Sequence, residues 1–322
     1  MTSGEGERFI FVGGAPRSGT TLVQNMLDMH PAIAGGPEFL HLTKILALRD
    51  SLKKKVANGR IDAFCSAADV DRAVRGMIEA LLLPLADREG RRLLSEKTPA
   101  NCLVFEPLME LFPRARCVFV LRDPRAIVAS MLEVGRRGRA MGLSPRPYTR
   151  SLRAAVAHVE SCFHAGFAAE KAAPDRVLAV EYAALVTDPA AETRRICAFL
   201  GLPWSPEMRI PASRSHIGEK AITVNDRNLW YDAQSFRRDP DPSGIDRWRS
   251  RLTPYQAALI GASFAGMEPL DRFGYDLQDA LTPGGRALEA AYRGLERGRA
   301  GLQRALRSER LLALLGSGPL LG

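Results

Sequence analysis

Residues 9–21 read FIFVGGAPRSGTT, an apolar run that turns into a loop of Gly, Pro and Ser. Phe9 to Val12 form the short, aromatic-rich run of a strand buried in a parallel sheet. From Thr20 to His30, Leu22, Val23, Met26 and Leu27 fall at helical spacing, so the stretch predicts strand, loop, helix. Such a junction aims backbone N–H groups and the positive end of a helix dipole at one point, where an anion binds. Gly14 and Gly19 keep the spacing of a triphosphate-binding loop, Gly-x4-Gly-Lys-Ser/Thr, whose glycines let the backbone approach the ligand closely. That loop requires Lys at position 20, where it reaches the β and γ phosphates. This chain has Thr20 there. Thr20 and Thr21 offer only hydroxyls, and the cation comes three residues earlier, from Arg17. A ligand with one phosphate on the loop and no γ phosphate fits this pattern.

Further along, Cys117 to Leu121 predicts a second buried strand, followed by Arg-Asp-Pro and a helix from about Pro124 to Leu132. Pro124 suits a first helical turn, where its missing N–H is not needed. Val177 to Val180 predicts a third strand, and a helix over Ala190–Leu200 is stopped by Gly201 and Pro203. Residues 43–92 read as helices joined by polar turns. Strands alternating with helices indicate an α/β chain with a three-layer, P-loop-like fold, a central parallel sheet flanked by helices. Residues 205–245, rich in Pro, Asp, Arg and Ser, read as a long irregular segment of the kind that covers or binds.

The bulk properties bound the function. A chain of 322 residues holds one large α/β domain or two smaller ones. Its net charge of +9 favours an anionic ligand or partner. No run approaches the roughly 18–20 apolar residues of a membrane span, and the N-terminus MTSGEGER lacks the pattern of a secretory signal. The five cysteines are scattered with no CxxC spacing, against a disulfide framework or zinc site and in favour of a reducing, cytoplasmic setting. GxGxxG, HExxH and GxSxG are absent. From about Ala287 the character changes: Leu288, Tyr292, Leu295, Leu302 and Leu306 share a helical face among seven arginines. The expected organisation is a domain over residues 1–283 and a basic amphipathic helical tail over 284–322. Packing on the domain or homodimerisation ranks ahead of contact with an acidic membrane surface. A nucleic-acid binder would need aromatics interleaved with clustered Arg and Lys, and the tail lacks them.

PRSGTTL resembles the 5′-phosphosulfate loop of sulfotransferases that use 3′-phosphoadenosine-5′-phosphosulfate (PAPS). VFVLRDPRAIVASML, residues 118–132, resembles their 3′-phosphate motif: a strand, an arginine at its end, and a serine eight residues later. FVGGAPRSGTTLVQNMLDMHP followed by GGPE is similar to the start of tyrosylprotein sulfotransferases. The similarity continues through EKTP (96–99), EYAALVTDP (181–189), FLGLPW (199–204) and DRW (246–248), covering most of residues 8–275.

The resemblance implies PAPS as co-substrate, an acceptor hydroxyl on a peptide tyrosine or small molecule, and no metal. It implies Glu38 as catalytic base, with His41 as the alternative and His30 structural. Arg17 and Lys97 are implied as the cations on the leaving phosphate and sulfonate. Ser18, Gly19, Thr20 and Thr21 fall in the 5′-phosphate loop. Arg122 and Ser130 are the 3′-phosphate pair, Tyr182 contacts the nucleotide, and Arg238 (or Arg237) supplies a further 3′-side cation. Asp123 and Arg125 read as a helix-start charge and its partner. The tyrosylprotein enzymes are Golgi-lumenal and disulfide-bonded near the active site, whereas the two corresponding positions here are Gly35 and Ser95. Their two arginines that read acidic target peptides correspond to Leu40 and Lys44, which favours a smaller, partly apolar acceptor. The rival reading is a P-loop-type small-molecule kinase, which wants Lys at position 20 and a metal-binding carboxylate; Asp123 is the candidate for the latter.

Overall fold

β1 (Phe9–Gly14) is buried along its whole length and lies at the centre of a five-stranded, all-parallel sheet. This computed structural model describes residues 8–144, 146–216, 230, 238–275, 277 and 294. After β1 the chain forms α1 (Thr20–Asp28), β2 (Ile33–Gly35), α2 (Leu42–Ala57), α3 (Ala67–Arg88) and β3 (Leu93–Lys97). It continues through α4 (Phe105–Leu111), β4 (Arg116–Leu121), α5 (Pro124–Ala140), α6 (Leu152–Ala172), β5 (Val177–Glu181), α7 (Tyr182–Thr187) and α8 (Pro189–Leu200). The sheet order is β2-β3-β1-β4-β5, with Phe9 opposite Leu94 on one side and Phe11 opposite Cys117 on the other. From β1 the chain crosses to the edge strand β2, comes back to β3 beside β1, and then builds outward on the other side through β4 and β5. That reversal opens a crevice at the carboxyl ends of the strands, the usual ligand site of open parallel sheets.

Alternation along β1 sends side chains into two layers. Ile10 and Val12 pack with Val23, Met26 and Leu27 of α1 and with Ile196 and Cys197 of α8. Phe9 and Phe11 face the opposite layer, with ring centroids 4.9 and 5.9 Å from that of Phe112. Phe119 of β4 meets Phe163 and Phe167 of α6 edge-on. The expected three-layer arrangement is present.

The sheet differs from the sequence expectation by two strands. β2 has only three residues, too few for a periodic signal. β3 reads LLSEK, and its last three residues look like a polar turn, yet all five are buried. They are tolerated because each polar group is paired; Ser95, for example, donates to Gln24 Oε1 at 2.6 Å. Gly35 and Ser95 are register partners across β2 and β3, and all five cysteines are free thiols. α5 runs eight residues beyond the predicted end at Leu132, with Val134, Gly135 and Gly138 buried. Upstream, α3 starts at a capping box in which Ser66 Oγ accepts from the Asp69 N–H.

A buried cluster ties α1 to the chain that follows α8. Asp28, 3% exposed, accepts from the Gly35 N–H at 2.9 Å, and its Oδ2 lies 2.8 Å from His216 Nδ1 and 3.1 Å from Arg214. Burial alone pushes the Asp28 carboxyl up, but His216, the Gly35 N–H and Arg214 together outweigh it and hold its pKa below the ordinary value. A depressed carboxyl contributes stability above its unfolded pKa of about 4 and loses it as pH falls through the folded value. Asp28→Asn is therefore expected to cost roughly 1–3 kcal/mol at pH 7 and progressively less as pH falls below about 4, read from denaturant midpoints at a series of pH values.

Two compact units divide between Arg251 and Leu252. In the second, α9 (Pro254–Phe264) begins at a Thr253–Gln256 capping box and buries Leu259, Ile260 and Phe264. The expected tail, 284–322, lies outside the described residues except for Gly294. Among the described residues, no helix is long and apolar enough to cross a membrane.

Candidate active site

Every strand delivers a candidate residue at its carboxyl end. Arg17 lies three residues after β1, Glu38 three after β2, Lys97 closes β3, Arg122 follows β4 and Tyr182 follows β5.

The loop after β1 is shaped for an anion. α1 begins at Gly19 with no side-chain cap and no acidic residue in its first turn, leaving its terminal N–H groups for a ligand. Ser18 is fully buried and its Oγ has no hydrogen-bond partner among the described residues. An orphaned buried hydroxyl beside uncapped N–H groups fits a phosphate at this point. Thr20 is buried and Thr21 half-buried in the same turn. Arg17 has φ 78°, a left-handed conformation that costs a non-glycine residue on the order of 1 kcal/mol. It directs the guanidinium so that Nε donates to Ser130 Oγ at 3.0 Å and Nη1 to the Trp230 carbonyl at 2.6 Å. The two loop glycines serve packing rather than ligand approach alone. A Cβ on Gly14 would lie 2.2 Å from the Val120 carbonyl oxygen, and one on Gly19 (φ 108°) 2.5 Å from the Tyr182 ring.

Glu38, Lys97 and Thr21 converge. Lys97 Nζ donates to Glu38 Oε1 at 2.5 Å and to Thr21 Oγ1 at 3.2 Å. The Lys97 side chain is only 5% exposed, so it is no surface turn lysine, and the Glu38 carboxylate keeps 19%. His41 is exposed, with Nδ1 against the Phe39 carbonyl. His30 is buried: Nδ1 accepts from the Ala32 N–H, so Nε2 carries the hydrogen it donates to the Pro203 carbonyl. That is the structural role expected of it.

On the β4 side, the Arg122 guanidinium sits 4.1 Å above the Tyr182 ring and donates to the Gly244 carbonyl at 2.7 Å. The far end of the irregular segment thus reaches the crevice. Ser130 meets Arg17 across the loop. Arg238 is exposed, and its charge helps lower the Asp241 carboxyl, chiefly held down by Ser243. Arg237 lies outside the described residues. Asp123 accepts from both the backbone and the guanidinium of Arg125, which lies 4.3 Å from the Trp248 ring centroid. A carboxylate engaged in this way is poorly placed to hold a metal for a kinase. Trp248 of the DRW motif is the ring against which Arg125 stacks.

Two further residues escaped the motif reading. Glu96 and Thr98 flank Lys97 and bond the backbone of the segment carrying Glu38. Their signal was present in EKTP, where only the lysine drew a role.

Residues 9–206 match the model of the Sulfotransferase family. Protein-tyrosine sulfotransferase A of Caenorhabditis elegans is 34% identical over 206 residues, 62% of this chain and 51% of that protein. Protein-tyrosine sulfotransferase 1 of Danio rerio is 32% identical over 274 residues, 83% of this chain and 72% of that protein. The alignment thus spans about half of the first of these relatives. The sulfotransferase domain of the Synechococcus PCC 7002 olefin synthase superposes with a TM-score of 0.54 at 22% identity, covering 82% of this chain and 97% of that domain, a likeness of fold. With the family model matched across most of the sheet and its crevice, the chain belongs to the sulfotransferase family.

Proposed function

We propose that this protein transfers the sulfuryl group of PAPS to an acceptor hydroxyl. The observation that carries the reading is the contact of Glu38 with Lys97, and of Lys97 with Thr21, at the mouth of an anion-binding loop. Bound PAPS supplies an SO3 group on a phosphate leaving group. Ser18, Gly19, Thr20 and Thr21 hold the 5′-phosphate, with Arg17 beside them. Arg122, Ser130 and Arg238 serve the 3′-phosphate side, and Tyr182 the nucleotide. Glu38 takes the proton of the acceptor hydroxyl as its oxygen bonds to sulfur in line with the departing phosphate oxygen. The sulfur–bridging-oxygen bond breaks and its electron pair stays on the phosphate, where Arg17 and Lys97 meet the developing charge.

The acceptor we propose is a phenol-type or other small hydroxyl compound, peptide tyrosine included, as the names of the relatives suggest. Leu40, two residues after Glu38 and 49% exposed, favours an apolar acceptor group over an acidic peptide. The free cysteines suit a cytoplasmic enzyme.

Thermal melting tests the donor. 3′,5′-Adenosine bisphosphate at about 100 times its Kd is expected to stabilise by about 2.7 kcal/mol, roughly 5 °C or more in Tm, with ATP–magnesium giving much less. A larger shift with ATP–magnesium overturns the reading in favour of a kinase. A donor-labelled transfer assay across peptide tyrosine, phenolic, saccharide and lipid hydroxyls then identifies the acceptor.

A further inference from the structure

Residues 36–41 lie between β2 and α2 and belong to no helix or strand, yet they carry Glu38. Their placement comes from the end of β3, residue by residue. The Glu38 carboxylate bonds the Lys97 side chain at 2.5 Å. The Phe39 N–H donates to Glu96 Oε1 at 3.1 Å, and the Leu40 N–H to Thr98 Oγ1 at 3.2 Å. The Thr98 hydroxyl in turn donates to Glu96 Oε1 at 2.7 Å, and Asn101 Nδ2 donates to Oε2 at 2.5 Å.

Glu96 is 3% exposed. A carboxyl in that position is costly, and burial pushes its pKa up against the pull of Thr98, Asn101 and the Phe39 N–H. Leu40 is held at φ 63°, a conformation a leucine disfavours and keeps only where its surroundings over-determine it. The buried Glu96 of β3 and the left-handed Leu40 of the segment are joined by the same hydrogen-bond chain. Neither Glu96 nor Thr98 is itself assigned contact with the reactants.

From this geometry we propose that Glu96 and Thr98 form a positioning relay that sets the Glu38 carboxylate against Lys97 and the acceptor hydroxyl. The inference rests on the reading of Glu38 as the base. Its chemistry is that of a strut: a buried carboxyl fixes a hydroxyl, and the two together fix the two backbone N–H groups that follow Glu38. A displacement of about 1 Å at a reacting group can cost as much as 100-fold in rate, so the relay acts on kcat.

Thr98→Val keeps the shape of the side chain and removes its hydroxyl. It is expected to lower kcat about tenfold, with the donor KM and the bisphosphate melting shift near wild type, and Thr98→Ser is expected to recover most of the loss. In a Glu38→Gln background, the added Thr98→Val is expected to cost less than twofold, because the group it positions is already disabled. Should Thr98→Val fail to fold, Thr98→Ala reads the same loss. Wild-type kcat in folded Thr98→Val or Thr98→Ala overturns the relay, and so does a full tenfold loss in the Glu38→Gln background, which marks a structural role. Wild-type turnover by Glu38→Gln alone removes the base and the relay with it, and is told apart because it appears before Thr98 is touched.

Discussion

Glu38→Gln is expected to lower kcat by about 100- to 10,000-fold while the bisphosphate melting shift stays near that of the wild type. The amide retains an oxygen to accept from Lys97 Nζ, so the 2.5 Å contact survives in kind and the segment stays placed. What disappears is the carboxylate's capacity to take a proton. Loss of kcat without loss of nucleotide binding separates a base from a nucleotide ligand. Unchanged turnover reassigns the base, and His41, three residues on, is then the residue to replace.

Arg17→Ala is expected to lower kcat by about 100- to 1000-fold, the cost of removing one preorganised donor to a developing oxyanion. It should lower kcat and kcat/KM together, the signature of an interaction made in the transition state. Arg17 also joins Ser130 and the Trp230 carbonyl, so some loss of nucleotide affinity accompanies the rate effect. Arg17→Lys restores charge without the planar fork and should recover only part of the activity. An Arg17→Ala enzyme with higher KM and unchanged kcat overturns the leaving-group role and leaves Arg17 as a binding residue.

Legibility followed the burial of each element. β1, β4 and β5 are continuous apolar runs, and each could be read from the chain directly. β3 could not, because Ser95, Glu96 and Lys97 look solvent-seeking, and only their partners in the folded chain make burial affordable. β2 was hidden by its three-residue length. In the site, Arg17, Lys97 and Arg122 were legible because they stand in motifs at strand ends. Glu96 and Thr98 were not, since a hydrogen bond spanning 57 or 58 residues leaves no local pattern.

The sequence by itself determined the parallel α/β plan, the anion loop with its charge moved to Arg17, and the family. The plan and the loop rest on local periodicity and on the short-range geometry of a strand–helix turn, and the family on the motifs whose resemblance carries it. Only the tertiary structure decided that Gly14 is required by Val120 and Gly19 by Tyr182, that Ser130 meets Arg17, and that Lys97 is a buried partner of Glu38. The physical reason is common to all of them. Each depends on which strand lies beside which, and β1 acquires its neighbours from residues 85 and 106 positions away through the register of the sheet.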